Sequence, residues 1–376
     1  MIICTSICAN YLPKAMILAS SVKKHIPDAL FVLCLLEKEF PQQIEAFPYF
    51  DDVILAKNMG WENFEVFIFR HTIVEAATAV KGQLLRYLFT TYSREKSVVY
   101  LDPDIKVYGD FIELRQMLDE HSLILAPHLL RPGNIDMEIS SLAHGCYNLG
   151  FIALSRSENA WAFIDWWAAR LFLYCYDDKA KGLFTDQRWV DLAPCFFDVH
   201  LLKHHGYDFA TWSLLGAQLE EQKDTISVNG DPLRFIHFSG LDGGTVDWAV
   251  EQWLHEPVSR GIFTRLYNEY LAEHEAYNAQ GFSKMPWSYA VYDNGMPIGK
   301  KARHTFREME EHNRVTNPFA ASETTIFALQ KQNPKRGFAE LAGKVPAYLR
   351  SHGWRATIKK IKNALIATGG NIREKI

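Results

Sequence analysis

The spacing of apolar positions predicts a chain that opens with alternating strands and helices. Residues 2–7 form an apolar run that predicts a first strand. Ala15, Leu18, Ala19 and Val22 then recur at i, i+3, i+4 and i+7, the single face of a helix packed on a sheet. Pro27-Asp28 stops that helix, residues 30–36 are nearly all apolar, as a strand covered on both faces would be, and Val53-Ile54-Leu55 is another short strand candidate. Between 65 and 92 the period becomes helical, with Val74, Ala77, Leu84, Leu85 and Leu88 as expected inner positions. Strand patterns follow at 98–101, 123–126, 147–154 and 235–238, interrupted by a strongly aromatic helix over 161–173 that reads as core. Beyond about residue 247 the pattern turns helical over 249–277 and then rich in Pro, Gly, Tyr and Trp over 282–303, a structured connection. This order predicts an α/β catalytic domain over residues 1–247 and a mainly helical C-terminal extension over 248–376.

Composition narrows the classes. A 376-residue chain with 48% hydrophobic and 22% charged residues and a net charge of −4 is that of a soluble globular protein, and it excludes general nucleic-acid binding. Its six cysteines show neither a CxxC pair nor disulfide-framework spacing, so they are expected to be core thiols of a reducing compartment. The start of the chain carries no basic leader, and no window approaches ~18 uninterrupted apolar residues. The expected location is therefore cytoplasmic.

The stretch that carries candidate chemistry is Tyr100-Leu101-Asp102-Pro103-Asp104, a buried strand ending in two carboxylates. Open α/β sheets bind ligands at the carboxyl ends of their strands, and such a pair can hold a hard divalent cation together with phosphate oxygens. The competing reading is a polar turn after a strand. Upstream, Lys81 and Arg86 lie on the helix that leads into this strand, and Arg86 is the preferred phosphate contact because guanidinium forks match phosphate geometry. Downstream, residues 129–141, with Arg131-Pro132-Gly133-Asn134, read as a loop at the acceptor side or a lid. Asn148 and Gly150 stand near the start of a strand, where a glycine marks close approach. Thr185 or Asp186 is either a helix N-cap or a site residue, and His237 either a structural strand-end histidine or a third metal ligand. His200, His204 and His205 cluster without any standard zinc spacing. The segment 341–376 alternates basic and apolar residues around Lys359-Lys360-Ile361-Lys362, so it is either a solvated terminal helix or one that lies on an anionic membrane surface.

Taken in order, these motifs form a resemblance. The opening strand and helix through Ser20-Ser21, then Arg86-Tyr87, Asp102-Pro103-Asp104, Asn148-Leu149-Gly150, Asp186-Gln187 and His237-Phe238-Ser239-Gly240 resemble the GT-A glycosyltransferases. The retaining family 8 type, the galactosyltransferase and glycogenin-like group, is the most similar. The resemblance covers about the first two thirds of the chain. It implies a Rossmann-like nucleotide-diphospho-sugar transferase with a mixed sheet flanked by helices. It also implies Mn²⁺ (or Mg²⁺) held by Asp102, Asp104 and His237, a nucleobase held by Thr5, Ser6, Asn10 and Tyr11, and Arg86 and Gly240 at the donor. Asn148, Gly150, Asp186 and Gln187 are then the expected sugar contacts, with Asp186 and Gln187 catalytic. Partners implied are a nucleotide-sugar donor, UDP-linked by the resemblance, and a carbohydrate or lipid-linked acceptor of surface polysaccharide or glycolipid synthesis. A retaining transfer proceeds either through a glycosyl intermediate on Asp186 or by front-face attack with Gln187 on the opposite face. One departure stands out: family members follow the late His-x-x-Gly with Lys-Pro-Trp, and here Gly240 is followed by Leu241-Asp242-Gly243-Gly244. Backbone N–H groups of the glycine loop, Lys284 or Arg131 are the candidate replacements for that lysine.

Two other readings compete. A haloacid-dehalogenase-like Mg²⁺ phosphatase also places Asp-x-Asp after an apolar strand, but it wants that strand near the start of its domain, and about a hundred residues precede it here. A catalytically silent sugar-nucleotide-binding module would keep the fold without the chemistry.

Overall fold

In a computed structural model of the protein, the described residues are 1–308 apart from 42, 43, 45, 46 and 224, together with 317–320. The basic amphipathic segment expected within 341–376 lies outside the described residues.

The first half of the chain runs β1 (Ile2–Ile7), α1 (Leu12–His25), β2 (Leu30–Leu35), β3 (Asp52–Leu55), α2 (Phe64–Arg70), α3 (Ile73–Ala79), α4 (Lys81–Thr91), β4 (Ser97–Leu101), β5 (Ile105–Val107), α5 (Ile112–Glu120), β6 (Leu123–Pro127), α6 (Ile135–His144), β7 (Tyr147–Ser155) and α7 (Glu158–Tyr174). Short elements follow: β8 (Asp177–Asp178), β9 (Leu183–Phe184), α8 (Gln187–Val190), α9 (Ala193–Phe196), β10 (His200–Leu201), β11 (Phe209–Ala210), β12 (Leu219–Gln222), β13 (Thr225–Val228), β14 (Asp231–Pro232) and β15 (Phe235–His237). The last described elements are α10 (Thr245–Trp253), α11 (Pro257–Tyr277) and α12 (Lys300–Glu308).

A seven-stranded sheet has the order β10-β6-β7-β4-β1-β2-β3. Its β3-β2-β1-β4 part is parallel, and β7 runs antiparallel to both β4 and β6, so the sheet is mixed as expected. Side chains alternate across it with period two. Cys4, Val98 and Tyr100 face the layer containing α4 and α7, whereas Ile3, Val99 and Leu101 face the layer of α1 and α5. Trp167 on α7 is fully buried in the first layer, in agreement with a core role for the aromatic helix. Truncating such a residue to alanine costs about 3–5 kcal/mol.

Two sequence expectations change. The helical stretch 65–92 is three helices, and Val74 is exposed while Ala76, Ala79 and Val80 are buried. The break at His71-Thr72, with a Thr72/Glu75 capping box opening α3, resets the helical phase, which a single periodic stripe cannot represent. Within residues 129–141, expected as loop, α6 begins at Ile135 and runs on to His144. Asn134 caps it by accepting the Met137 N–H at 2.9 Å, with Asp136 and Glu138 in the first turn. Ile135, Ile139 and Leu142 point outward, so no inward apolar stripe betrays the helix.

A second, three-stranded sheet, β11-β15-β5, carries His237 at the end of β15. The described part of the C-terminal extension packs onto it: Phe263, Leu266 and Tyr270 of α11 share one core with Ile17, Phe209 and Phe238. Farther on, the Trp287 indole donates to the Leu36 carbonyl at 2.9 Å, and Arg303 donates to the carbonyls of Ile68, Phe69 and His71. Residues on both sides of 247/248 share one core, Phe209 and Phe238 with Ala249 and Phe263. Cys4, Cys8, Cys34 and Cys175 are free and buried, with burial pushing each thiol up, while Cys146 and Cys195 are free and exposed. Among the described residues no helix is long and apolar enough to cross a membrane.

Candidate metal and donor site

The turn between β4 and β5 presents both carboxylates, and strand register brings the histidine to them. Residues Phe235, Ile236 and His237 pair antiparallel with Val107, Lys106 and Ile105, so His237 ends β15 beside the residue that follows Asp104. The Phe238 N–H donates to the Asp104 carbonyl at 2.9 Å and locks this register. His237 Nε2 lies 3.1 Å from an Asp104 carboxylate oxygen and 3.9 Å from one of Asp102. Ligand atoms of Asp102, Asp104 and His237 all lie within 4.8 Å of one another, a spacing that can hold a metal ion. Behind the ring, Asp208 accepts from Nδ1 at 3.3 Å and fixes its orientation. Burial alone pushes His237 down, but Asp104 and Asp208 outweigh it and carry the imidazole up to about 10. Burial raises Asp104, yet the His237 charge and Lys14 hold it below the usual carboxylate range. Asp208, pushed up to about 6 by burial, adopts a left-handed φ of 49°, a strained backbone for a non-glycine residue.

The second charged group follows from the period-two face. Tyr100 and Asp102 share a side of the strand end, and α4 packs on that side, so its first residue reaches them. Lys81 Nζ sits 3.1 Å from Asp102 and 2.9 Å from Asp186, donates to the Leu149 carbonyl at 2.8 Å, and has only 2% of its side chain exposed. Burial pushes Lys81 down, but Asp102 and Asp186 reverse this and hold it well above the usual ammonium range. Asp186 is raised by burial, against the pull of Lys81. It stands at the N-cap position of α8 without a side-chain cap bond, accepts instead from the Thr185 hydroxyl at 3.0 Å, and follows a Thr185 held at φ 45°. Asp186 thus occupies the N-cap position while its carboxylate pairs with Lys81 and not with the helix backbone.

On the β7 side, the Asp102 N–H donates to the Gly150 carbonyl at 2.8 Å and the Gly150 N–H to Asn148 Oδ1 at 2.9 Å. A side chain at Gly150 would meet His237 Cε1 at 2.4 Å and Asn148 Oδ1 at 2.6 Å, so only glycine permits the ring to lie there. Gln187 spends both ends of its amide on backbone, accepting from Leu149 N–H at 3.1 Å and donating to the His144 carbonyl at 3.0 Å. The Asn148 amide donates to His128 at 3.3 Å, and Trp212 stands edge-on to both His128 and His237. His128, Asp208 and Trp212 form one wall of a cavity of about 420 Å³ that also reaches Arg131, Asn134 and Tyr207.

At the end of β1, the Ser6 hydroxyl bonds the Ala77 carbonyl at 2.8 Å and the Tyr100 hydroxyl at 2.9 Å, and Tyr100 in turn donates to Asp102 at 3.1 Å. Thr5 Oγ1 and Asn10 Oδ1 are buried without a hydrogen-bond partner, as polar atoms waiting for a ligand are. Tyr11 donates to Asp242 at 3.2 Å, in the turn that follows Gly240.

No protein-family profile matches the chain. An uncharacterized protein of Bacillus subtilis, YfnD, is 22% identical over 273 residues, which cover 71% of this chain and 86% of that one. Among solved structures, the galactosyltransferase LgtC in complex with donor and acceptor sugar analogs is 14% identical, with 64% of this chain and 87% of that chain covered and a TM-score of 0.41. The glycosyltransferase GlyE of Streptococcus pneumoniae is 15% identical, with 77% and 66% covered and a TM-score of 0.42.

Arg86 is not brought to the site. It pairs with Asp165 at 2.7 Å, with 38% of its side chain exposed, and bonds Gln83 on its own helix. Five residues along a helix turn the side chain by about 140°, so Lys81 and Arg86 cannot serve the same face. His205 pairs with Asp231 at 2.8 Å, and Arg131 donates to the Leu215 carbonyl at 2.6 Å, both on the lining of the cavity beside Asp208. Sequence reasoning passed over Tyr100, Lys14, His128, Asp208 and Trp212. Tyr100 was legible from alternation with Asp102, whereas the others arrive through long-range packing.

Proposed function

We propose that the protein is a metal-dependent glycosyltransferase of the GT-A type, moving a hexose from a UDP-sugar to an acceptor hydroxyl with retention. The observation that supports this most is the convergence of Asp102, Asp104 and His237 beside the buried Lys81–Asp186 pair. Two carboxylates and one imidazole, with an oriented ring behind them, fit Mn²⁺ or Mg²⁺. When bound, the ion neutralises the departing diphosphate. Lys81 holds Asp102 and Asp186 in fixed positions, so neither carboxylate has to reorganise as the sugar–phosphate bond breaks. Thr5, Asn10 and Tyr11 receive the nucleobase end, and Asn148 and Gly150 the sugar end. Asp186 is 3% exposed and bonded by Thr185 and Lys81, which favours a positioning role and front-face attack over a covalent adduct. Isolation of a glycosyl adduct on Asp186 by mass spectrometry would reverse that preference. The cavity walled by His128 and Trp212 adjoins this centre and suits a carbohydrate acceptor, since indole faces receive sugar rings. In the cell the same reading places the protein in the cytoplasm, at surface polysaccharide or glycolipid synthesis, with peripheral membrane contact through residues 341–376.

The test is release of UDP from UDP-sugars in the presence of MnCl₂. Wild-type release, lost in Asp104→Ala at an unchanged melting temperature, is the expected result. Phosphate release from a phosphomonoester in its place would favour the phosphatase, and nucleotide binding without turnover the silent module.

A further inference from the structure

A buried cation beside Tyr11, on α1, plays no part in the mechanism above. Lys14, at the third position of α1, has 5% of its side chain exposed, and its Nζ lies 2.7 Å from Asp242 and 4.3 Å from the centre of the Tyr11 ring. Asp242, by contrast, is 64% exposed. It sits on a one-turn segment, Leu241–Gly243, between Gly240 and Gly244, both left-handed with φ of 78° and 71°. That segment hangs directly from the metal-site strand: the Phe238 N–H bonds the Asp104 carbonyl, and the Leu241 N–H bonds the Phe238 carbonyl. The Lys14 charge accordingly helps hold Asp104 low, behind His237 and against burial, which raises it. A second buried group belongs to the same cluster. The Tyr270 hydroxyl of α11 is fully buried and has no hydrogen-bond partner, and Asp104, Asp242 and Tyr11 all act on it.

An ion pair with a fixed, buried cation and a solvated anion on a glycine-flanked turn is asymmetric. Releasing Asp242 into water costs its carboxylate little, because that group is already mostly solvated. Leaving Lys14 without an anion costs more, since a buried charge needs a partner. A dianionic phosphate group that reaches Lys14 therefore competes successfully for it.

We propose that Lys14 is the cation that clamps the donor's diphosphate, and that Asp242 is its exchangeable counter-ion in the empty site. This inference rests on the nucleotide-sugar reading above and names the clamp within it. Diphosphate displaces Asp242 from Lys14, the turn 241–243 is released, and no covalent bond is made or broken. The 240–244 segment thus supplies an anion that must leave, where a basic loop would supply the clamp itself.

Binding of UDP, GDP and ADP, each with MnCl₂, to the full-length protein by calorimetry tests this. Lys14→Met should bind the preferred nucleotide about tenfold or more weakly, since charge-assisted contacts to phosphate are strong. Asp242→Asn should bind it severalfold more tightly, and the double variant should match Lys14→Met alone, because Asp242 acts only through Lys14. Wild-type affinity in a Lys14→Met protein with a normal melting profile would overturn the inference, as would unchanged or weaker binding in Asp242→Asn. If Lys14→Met does not fold, the Asp242→Asn result decides alone. Loss of binding in Asp104→Ala with normal binding in Lys14→Met would refute the clamp and leave the nucleotide-sugar reading intact. A wild-type protein that binds none of these nucleotides would overturn both.

Discussion

Replacing Lys81 by methionine isolates the buried charge network, because methionine keeps most of the side-chain length and removes the ammonium. In the wild-type protein Lys81 is the counter-ion of Asp186 and Asp102 and satisfies the Leu149 carbonyl. Its loss leaves Asp186 buried without a cation. Breaking a buried pair from one side costs about 3–5 kcal/mol. Unfolding entropy near 2.1 cal/mol/K per residue then converts this into a drop of roughly 4–6 °C in melting temperature for a chain of this size. The pH dependence has a definite sign. Burial already raises Asp186, and removing Lys81 raises it further. A folded-state value above the unfolded one gives stability that is present at low pH and lost as pH rises through the folded value. The deficit of Lys81→Met should therefore grow from pH 5 to pH 8. Asp186→Asn in the same background should recover a good part of it, a coupling read from the double-mutant cycle by thermal melts. Arg86→Ala is the control: its pair with Asp165 is exposed on both sides, and its loss should cost no more than about 1 kcal/mol of stability. A Lys81→Met protein melting within ~1 °C of wild type, with no rescue by Asp186→Asn, would refute the charge-network account.

Two further predictions address the metal site and acid stability. Gly150→Ala places a methyl group against His237 and Asn148 and should displace the imidazole, so Mn²⁺ binding measured by calorimetry should fall about tenfold or more; unchanged affinity would show that the ring lies elsewhere. His71 is buried, bonds the Phe67 carbonyl at 2.7 Å, and is lowered by burial to about 3, so it folds neutral. Stability tied to it is full above the unfolded value of about 6.5 and is lost as pH falls toward 3, by up to ~1.4 kcal/mol per pH unit. Urea midpoints should therefore fall between pH 6.5 and 5 less steeply in His71→Asn than in wild type; parallel profiles would contradict it.

Strand and helix periodicity in the sequence determined the α/β order, the aromatic core helix, and the delivery of Asp102 and Asp104 to a strand end. Those features depend on neighbours along the chain, where alternation and the 3.6-residue repeat operate. Local pattern misplaced Val74 and missed α6, because a capped break resets helical phase and an outward apolar face leaves no inward stripe. What only the tertiary structure decided is which charges meet. Arg86 carries the better phosphate-binding group, yet Lys81 reaches the carboxylates, because the first residue of α4 and not its sixth faces β4. His237 joins Asp104 through a strand register set 133 residues downstream, and Asp242 meets Lys14 across 228. Contacts at such separations are fixed by packing of layers onto one another, for which a single sequence offers no local signal.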